Sequence, residues 1–194
     1  MAKNVNVLIK DVSFNYVHVF EPDEKGRYTV QVRIRKDNPA IPALIVAAKE
    51  AVANGIDSYG RNFGECAEAK AATRGDIKGL LKDGDEKHPG ETDYAGMFFF
   101  SASTVKQPQV VRRSDNGIPG FLPVIDEEGF QSTDKGQISV AVYPRHPDMM
   151  NNGISYAINA ILVEEKGPRT FGTPSAESIF GAEIAKEDDD DLPM

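Results

Sequence analysis

The stretch Arg27 to Lys36, RYTVQVRIRK, alternates strictly: Tyr28, Val30, Val32 and Ile34 share one parity, and Arg27, Gln31, Arg33 and Arg35 share the other. A strand sends successive side chains to opposite faces. The pattern therefore predicts a half-buried β-strand with an apolar inner face and a cationic outer face that ends on Lys36. Upstream, Val5, Val7 and Ile9 alternate with Asn4, Asn6 and Lys10, and a second rhythm follows through Val12, Phe14, Tyr16, His18 and Phe20. The phase changes between Ile9 and Val12. One long strand with a bulge near Lys10 and Asp11 is expected, a device that curls a strand around a small barrel. EPDEKG, Glu21 to Gly26, is turn-rich and joins the two strands as a hairpin.

Asn38 followed by Pro39 has the form of a helix start, and Ile41, Leu44, Ile45, Ala48 and Val52 recur at helical spacing. A helix from about Pro39 to Asn54, stopped by Gly55, should pack on the sheet or plug one end of a barrel. Alternation then weakens: Glu65 to Ala72 suits a short helix, and Leu80 to Tyr94 a loop. In MFFFSAS, Phe98, Phe100 and Ala102 take one face and Met97, Phe99 and Ser101 the other. Phe99 leaves the core face, where it either packs against a loop or helix or stacks on a base. Ser114 to Gly136 is expected to form a mobile hairpin walling a binding cleft. In QISVAVYPR, Ile138, Val140 and Val142 point inward and Ser139, Ala141, Tyr143 and Arg145 outward, either as an ordinary edge strand or as a shallow platform for bases. A last strand within Asn151 to Gly167 keeps Ile154, Tyr156, Ile158, Ala160 and Leu162 in one phase, and Ser175 to Ala185 suits a short helix. The fold class is mainly β, with five or more antiparallel strands, one or two α-helices and long loop insertions.

With 194 residues, 40% of them hydrophobic, the chain can bury a core in one domain, residues 1–182. A single cysteine, Cys66, excludes an internal disulfide and suits a reducing cytoplasm. The apolar run Ile41 to Ala48 is broken by Pro42 and falls far short of the roughly 20 residues that span a bilayer. Met1 to Asn6 carries no signal-peptide pattern. A soluble intracellular protein is expected, without a membrane partner. The net charge of −8 is concentrated at one end: six carboxylates against Lys186 place −5 in residues 183–194, leaving −3 for the body. A nearly neutral body can still present a basic stripe to a polyanion.

Asp83, Asp85, Glu86 and His88 raise a metal site for phosphodiester cleavage, but Asp-Gly-Asp is ordinary turn chemistry and no second carboxylate-rich element stands nearby. His18, His88 and His146 have no metal-ligand spacing. A non-catalytic protein without metal or cofactor is expected.

The tail EDDDDLPM, Glu187 to Met194, joins an acidic run to an apolar-proline-apolar tip at the free carboxylate. Single-stranded DNA-binding proteins of bacteria and phages end in a similar way, although an aromatic is usual where Met194 stands. The body also resembles the bacteriophage members of that group that carry an OB-type barrel. The shared features, in order, are VSFNYVHVFEP at Val12 to Pro22, RIRK at Arg33 to Lys36, LLKDGDE at Leu80 to Glu86, Tyr-x-Gly at Tyr94 to Gly96, PQVV at Pro108 to Val111, and NNGI before the last strand. The resemblance implies an OB-like barrel over 1–182 and a disordered acidic tail over 183–194. In that tail Asp188, Asp189, Asp190, Asp191, Leu192, Pro193 and Met194 would recruit a polymerase, helicase or nuclease. It also implies single-stranded DNA as ligand. Arg33, Arg35 and Lys36 would neutralise phosphates, Tyr143, Phe99 and Tyr16 would stack bases, and Lys82, Lys106, Arg112, Arg113 and Arg145 would extend the track. Homo-oligomerisation is left open. The simplest OB barrel places its helix between the third and fourth strands, whereas the helix here follows the second. Either the first strand counts as two, or the topology is elaborated. The alternatives are a β-rich structural protein of the virion and a metal-dependent nuclease built on the DGDE loop.

Overall fold

The computed structural model describes residues 5–54, 80–114, 120–144 and 154–168. The first strand, β1 (Val5–His18), breaks phase where the sequence does. It pairs with β7 (Lys135–Pro144) from Val5↔Val142 to Ile9↔Ile138, and pairing resumes at Val12↔Gly136. Three steps on β1 therefore oppose two on β7, and Asp11 absorbs the extra residue with φ 53°. The bulge moves the buried parity from Val7 and Ile9 to Val12 and Phe14. A second bulge between Asn15 and His18, with Tyr16 at φ 46°, moves it again to Val17 and Val19. This corrects the expected unbroken rhythm through Tyr16 and His18, which are both exposed.

The hairpin to β2 (Tyr28–Arg35) turns on Asp23, whose side chain accepts from the backbone N–H groups of Lys25 and Arg27 at 2.9 Å each. β2 pairs along its whole length with β4 (Met97–Thr104), from Tyr28↔Thr104 to Arg35↔Met97. β7 pairs with β8 (Ile154–Glu165), and β8 meets β4 in a parallel rung, Ala102↔Tyr156. That rung closes a ring of β1, β2, β4, β8 and β7, the five strands of an OB-type barrel. Phe100 and Tyr156 meet behind it with ring centroids 4.3 Å apart, and the Tyr156 hydroxyl donates to the Leu80 carbonyl at 2.7 Å. The expected antiparallel pairing holds around most of the ring, but the closure is parallel.

The helix α1 (Ala40–Asn54) starts as the sequence indicates, with the Asn38 side chain accepting from Ala40 N–H at 2.8 Å. Its Leu44, Ala47, Ala48 and Ala51 join the core, and it packs on β1 and β7. Because β1 is one continuous strand, the helix lies between the second and third barrel strands, so the topology is an elaborated one. A two-residue strand β3 (Lys82–Asp83) pairs with β4, and one helical turn, α2 (Gly84–Lys87), follows it. Between β4 and β7, β5 (Gln109–Arg113) runs parallel to β8, and β6 (Phe121–Pro123) pairs antiparallel with β5. The Ser114 to Gly136 segment thus contributes half of a hairpin.

β8 departs from its expected single phase. Ser139 opposes Ala160 and Val140 opposes Ile158, so Asn159 is an extra residue. Buried positions pass from Tyr156 and Ile158 to Ile161 and Val163, leaving Ala160 and Leu162 half-buried. The expected stop at Gly55, the helices at Glu65–Ala72 and Ser175–Ala185, Arg145 and the acidic tail lie outside the described residues. No helix among the described residues is long and apolar enough to cross a membrane.

The Asn38 side chain also donates from Nδ2 to the Lys10 carbonyl at 2.9 Å, so one buried residue ties the start of α1 to the β1 bulge. Asn38→Ala removes a cap and orphans a bulge carbonyl. An expected loss of about 2 kcal/mol would be read from the urea midpoint at unchanged m-value.

Candidate nucleic-acid interface

Register places Arg33 opposite Phe99 on one side and Ser13 on the other, with Lys82 across from Phe99 on its far edge. These residues share the outer face of the barrel's second and third strands, where the alternation had placed Arg33 and Phe99. Solvent does not reach Arg33 and Phe99 as expected. The segment from His88 to Gly96 lies over this face, and Arg33 is only 5% exposed. Its Nη1 donates to the Asp93 carbonyl at 3.1 Å and lies 3.3 Å from the Asp93 carboxylate, while Nε is buried without a partner. Phe99 is equally covered, which fulfils the packing alternative for its ring.

Tyr94 is the hub of this cover. Its hydroxyl donates to Gln31 Oε1 at 2.6 Å and accepts from Asn15 Nδ2 at 3.2 Å, joining β1 to β2. Burial pushes that hydroxyl's pKa up from its ordinary value. His88 stacks on the Tyr94 ring at 3.9 Å and 14°, Phe99 meets it edge-on at 5.3 Å, and the Arg33 guanidinium stands 5.3 Å from its centroid. Gly84 lets α2 come close enough for this arrangement, since a Cβ there would stand 2.3 Å from the Tyr94 carbonyl oxygen.

The remaining cations of the RIRK run are also engaged. Arg35 forms a two-pronged pair with Asp37 at 2.9 Å per bond. Lys36 donates to both Asp83 and Asp85 at 2.8 Å. Asp83 in turn accepts from Asp85 N–H, and Asp85 from Gly96 N–H, so both carboxylates of the DGDE loop fix the backbone beside β4. This is the structural-turn alternative, and among the described residues no carboxylate, histidine and cysteine cluster suits a metal ion. A cavity of about 680 Å³ below the run sets Arg35, Lys36 and Lys135 against Asp11, Asp37, Glu164 and Glu165, a balance that does not favour a polyanion.

The other end of the same face is different. Beyond Tyr28↔Thr104 the chain presents Arg27, immediately before β2, and Lys106 from the turn after β4, both exposed and with no carboxylate partner to their side chains among the described residues. Lys25 stands beside them in the hairpin, and Lys82 remains exposed at the opposite end, its Nζ 5.7 Å from the Phe99 ring centroid. Thr29, Gln31, Ser101 and Ser103 form a low polar floor between. Tyr16 is 58% exposed on its bulge beside Asn15, and Tyr143 is half-buried on the outer face of β7. Arg112 and Arg113 are exposed on β5. Arg27 was named in the sequence as outward-facing but not as a site residue. Its lack of a carboxylate partner depends on which residues the fold places nearby, which the alternation cannot show.

The family model described as the ssDNA-binding protein of Enterobacter phage Enc34 matches residues 5–192. The chain belongs to this family. In solved structures it is similar to the single-stranded DNA-binding protein from bacteriophage Enc34, at 15% identity and TM-score 0.59 over 89% of this chain and 88% of that one. It is likewise similar to the same phage protein in complex with ssDNA, at 17% identity and TM-score 0.58 over 86% and 89%. These likenesses establish the OB-type fold. No curated protein matches the sequence.

Lys36 gives the cover an acid-sensitive anchor. Its hydrogen bonds hold the Asp83 and Asp85 carboxyls below the usual aspartate range. A depressed folded pKa contributes stability that is complete above the unfolded value, about 4, and is lost as pH falls through the folded one. Lys36→Met should therefore flatten the acid limb of the stability profile. The measurement is the difference in urea midpoint between pH 7 and pH 3, expected to be smaller in the variant.

Proposed function

We propose that this chain binds single-stranded DNA without sequence preference, as a non-catalytic protein of phage or prophage replication and recombination in the host cytoplasm. The family match over residues 5–192 carries this reading. OB barrels bind oligonucleotides across their second and third strands and adjoining loops, here β2 and β4. On that face the strand would cross the Thr29, Gln31, Ser101 and Ser103 floor, with Arg27, Lys106 and Lys82 neutralising phosphates. Tyr16 and Tyr143 would stack bases, an interaction that tolerates any sequence. Arg145, next but one to Tyr143 in the chain, would extend the track.

Arg33 and Phe99 serve this site from beneath, by seating Tyr94. Arg35 and Lys36 contribute to the field at the barrel's far end, with their charge shared by Asp37, Asp83 and Asp85. The acidic tail, Asp188 to Met194, recruits a replication or recombination protein through its apolar tip.

The test is fluorescence anisotropy of labelled oligothymidine across a salt series. Binding should weaken with a slope of about −0.7 per neutralised phosphate. The double variant Arg27→Ala, Lys106→Ala should bind more weakly and flatten that slope by about 1.4. Absence of binding by the intact chain at low salt would sink the reading in favour of a structural virion protein.

A further inference from the structure

The β5–β6 hairpin lies outside the closed ring and is attached to it along β8 alone. Its core-facing residues, Val110 and Val124, are buried, so the hairpin is seated without help from its outer face. On that outer face Arg113 and Phe121 form a direct cross-strand pair, with the guanidinium 6.0 Å from the ring centroid. Phe121 is 60% exposed and the Arg113 side chain 62%. A single exposed apolar residue needs no explanation. A phenylalanine ring set beside an arginine on the solvent side of a sheet offers a nucleotide both a stacking surface and a phosphate partner.

We propose that this hairpin carries a second DNA subsite, in which a base stacks on Phe121 and Arg113 neutralises the neighbouring phosphate. The inference rests on the single-strand-binding reading and extends it to a longer footprint. Continuity supports it: β5 begins three residues after Lys106, the cation at the end of the β2–β4 floor. From there Gln109, Val111 and Arg113 follow on the outer parity, over about 13 Å at strand spacing. Their neighbours on β8, Ala160 opposite Gln109 and Leu162 opposite Val111, are uncharged. Arg113 also pairs with Glu164 at 3.1 Å, and the same oxygen accepts from Gln137 Nε2 at 2.9 Å. Exposed pairs of this kind contribute little and leave the guanidinium available to a phosphate.

A second protein chain adding a strand to β6 is the less favoured occupant. Bonds from Ser114 N–H to the Gly120 carbonyl and from Val124 N–H to the Val110 carbonyl turn the even-numbered backbone toward β5. The free edge is therefore left to Phe121 and Pro123, and proline withholds a donor there.

The test uses the full chain with oligothymidines of graded length, from about 4 to 16 nucleotides, the span OB folds occupy. Phe121→Ala should match the unaltered protein on the shortest bound oligomers and bind the longer ones about 5- to 150-fold more weakly, the range that base stacking on an aromatic carries. Phe121→Tyr should keep the affinity at all lengths. Arg113→Ala should flatten the salt slope by about 0.7 on the longer oligomers only. Equal affinity of Phe121→Ala at every length overturns the subsite and leaves the barrel site standing, as does a loss that is uniform with length. A change of oligomeric state in sedimentation without a length-dependent loss reassigns the hairpin to contact between copies. If the unaltered protein binds no oligomer, the single-strand-binding reading itself falls.

Discussion

The phase break between Ile9 and Val12 is the constraint on which the barrel depends. One strand has to serve two partners that lie on different parts of a curved wall, β7 along its first half and β2 along its second. A regular strand would keep one parity inward and stay nearly flat. The extra residue bends β1 and exchanges its faces, so that Val7, Ile9, Val12 and Phe14 all reach one interior. Asn38 fastens the bend to the helix that closes the barrel's side, which couples the curvature of the sheet to the position of α1.

The same economy governs the outer face. A row of guanidiniums on a strand requires anions but does not specify their source. At the Arg33 end they come from the protein itself, through Asp93, Asp83 and Asp85. At the Arg27 end the side chains of Arg27 and Lys106 meet no carboxylate among the described residues, and the nearby Asp23 is occupied by the backbone N–H groups of Lys25 and Arg27. The cations at the two ends of β2 are thus differently placed, Arg33 holding the wall together and Arg27, just before the strand, facing outward. Neither role is set by the cations alone: Asp37 engages Arg35, and the stretch from Asp83 to Asp93 engages Lys36 and Arg33.

Much of the fold was legible because its signals are local. The β1 bulge showed as a change of parity, the α1 start as Asn38-Pro39, and the first hairpin as a turn-rich run. Asn159 gave no such warning. An asparagine within an apolar strand has no mark of a bulge, and the regular positions 160 and 162 disguise the exchange of faces. The site was legible only in part. Alternation assigned Arg33 and Phe99 to the outer face correctly, but their burial comes from Tyr94 and His88, and a cover drawn from distant sequence leaves no trace in periodicity. Tyr16 is exposed only because a second bulge, unmarked in the alternation, turns it out of the phase it shares with Val12 and Phe14, whereas Phe121 stood in a segment read only as a turn-rich insertion.

The pairing of Arg35 with Met97 has a consequence for how the molecule is made. Residues 36–96 intervene between two strands that lie side by side, whereas β1 and β2 are joined by a short turn. Closing a long loop costs more entropy than closing a hairpin, and contacts of large sequence separation form slowly. The first hairpin can therefore arise early, but its apolar side has only α1 for company until β4 is available. The ring cannot be completed until Tyr156, more than fifty residues further along the chain, reaches Ala102. Until then the growing chain is an unfinished half-barrel, with Val30, Val32 and Ile34 uncovered.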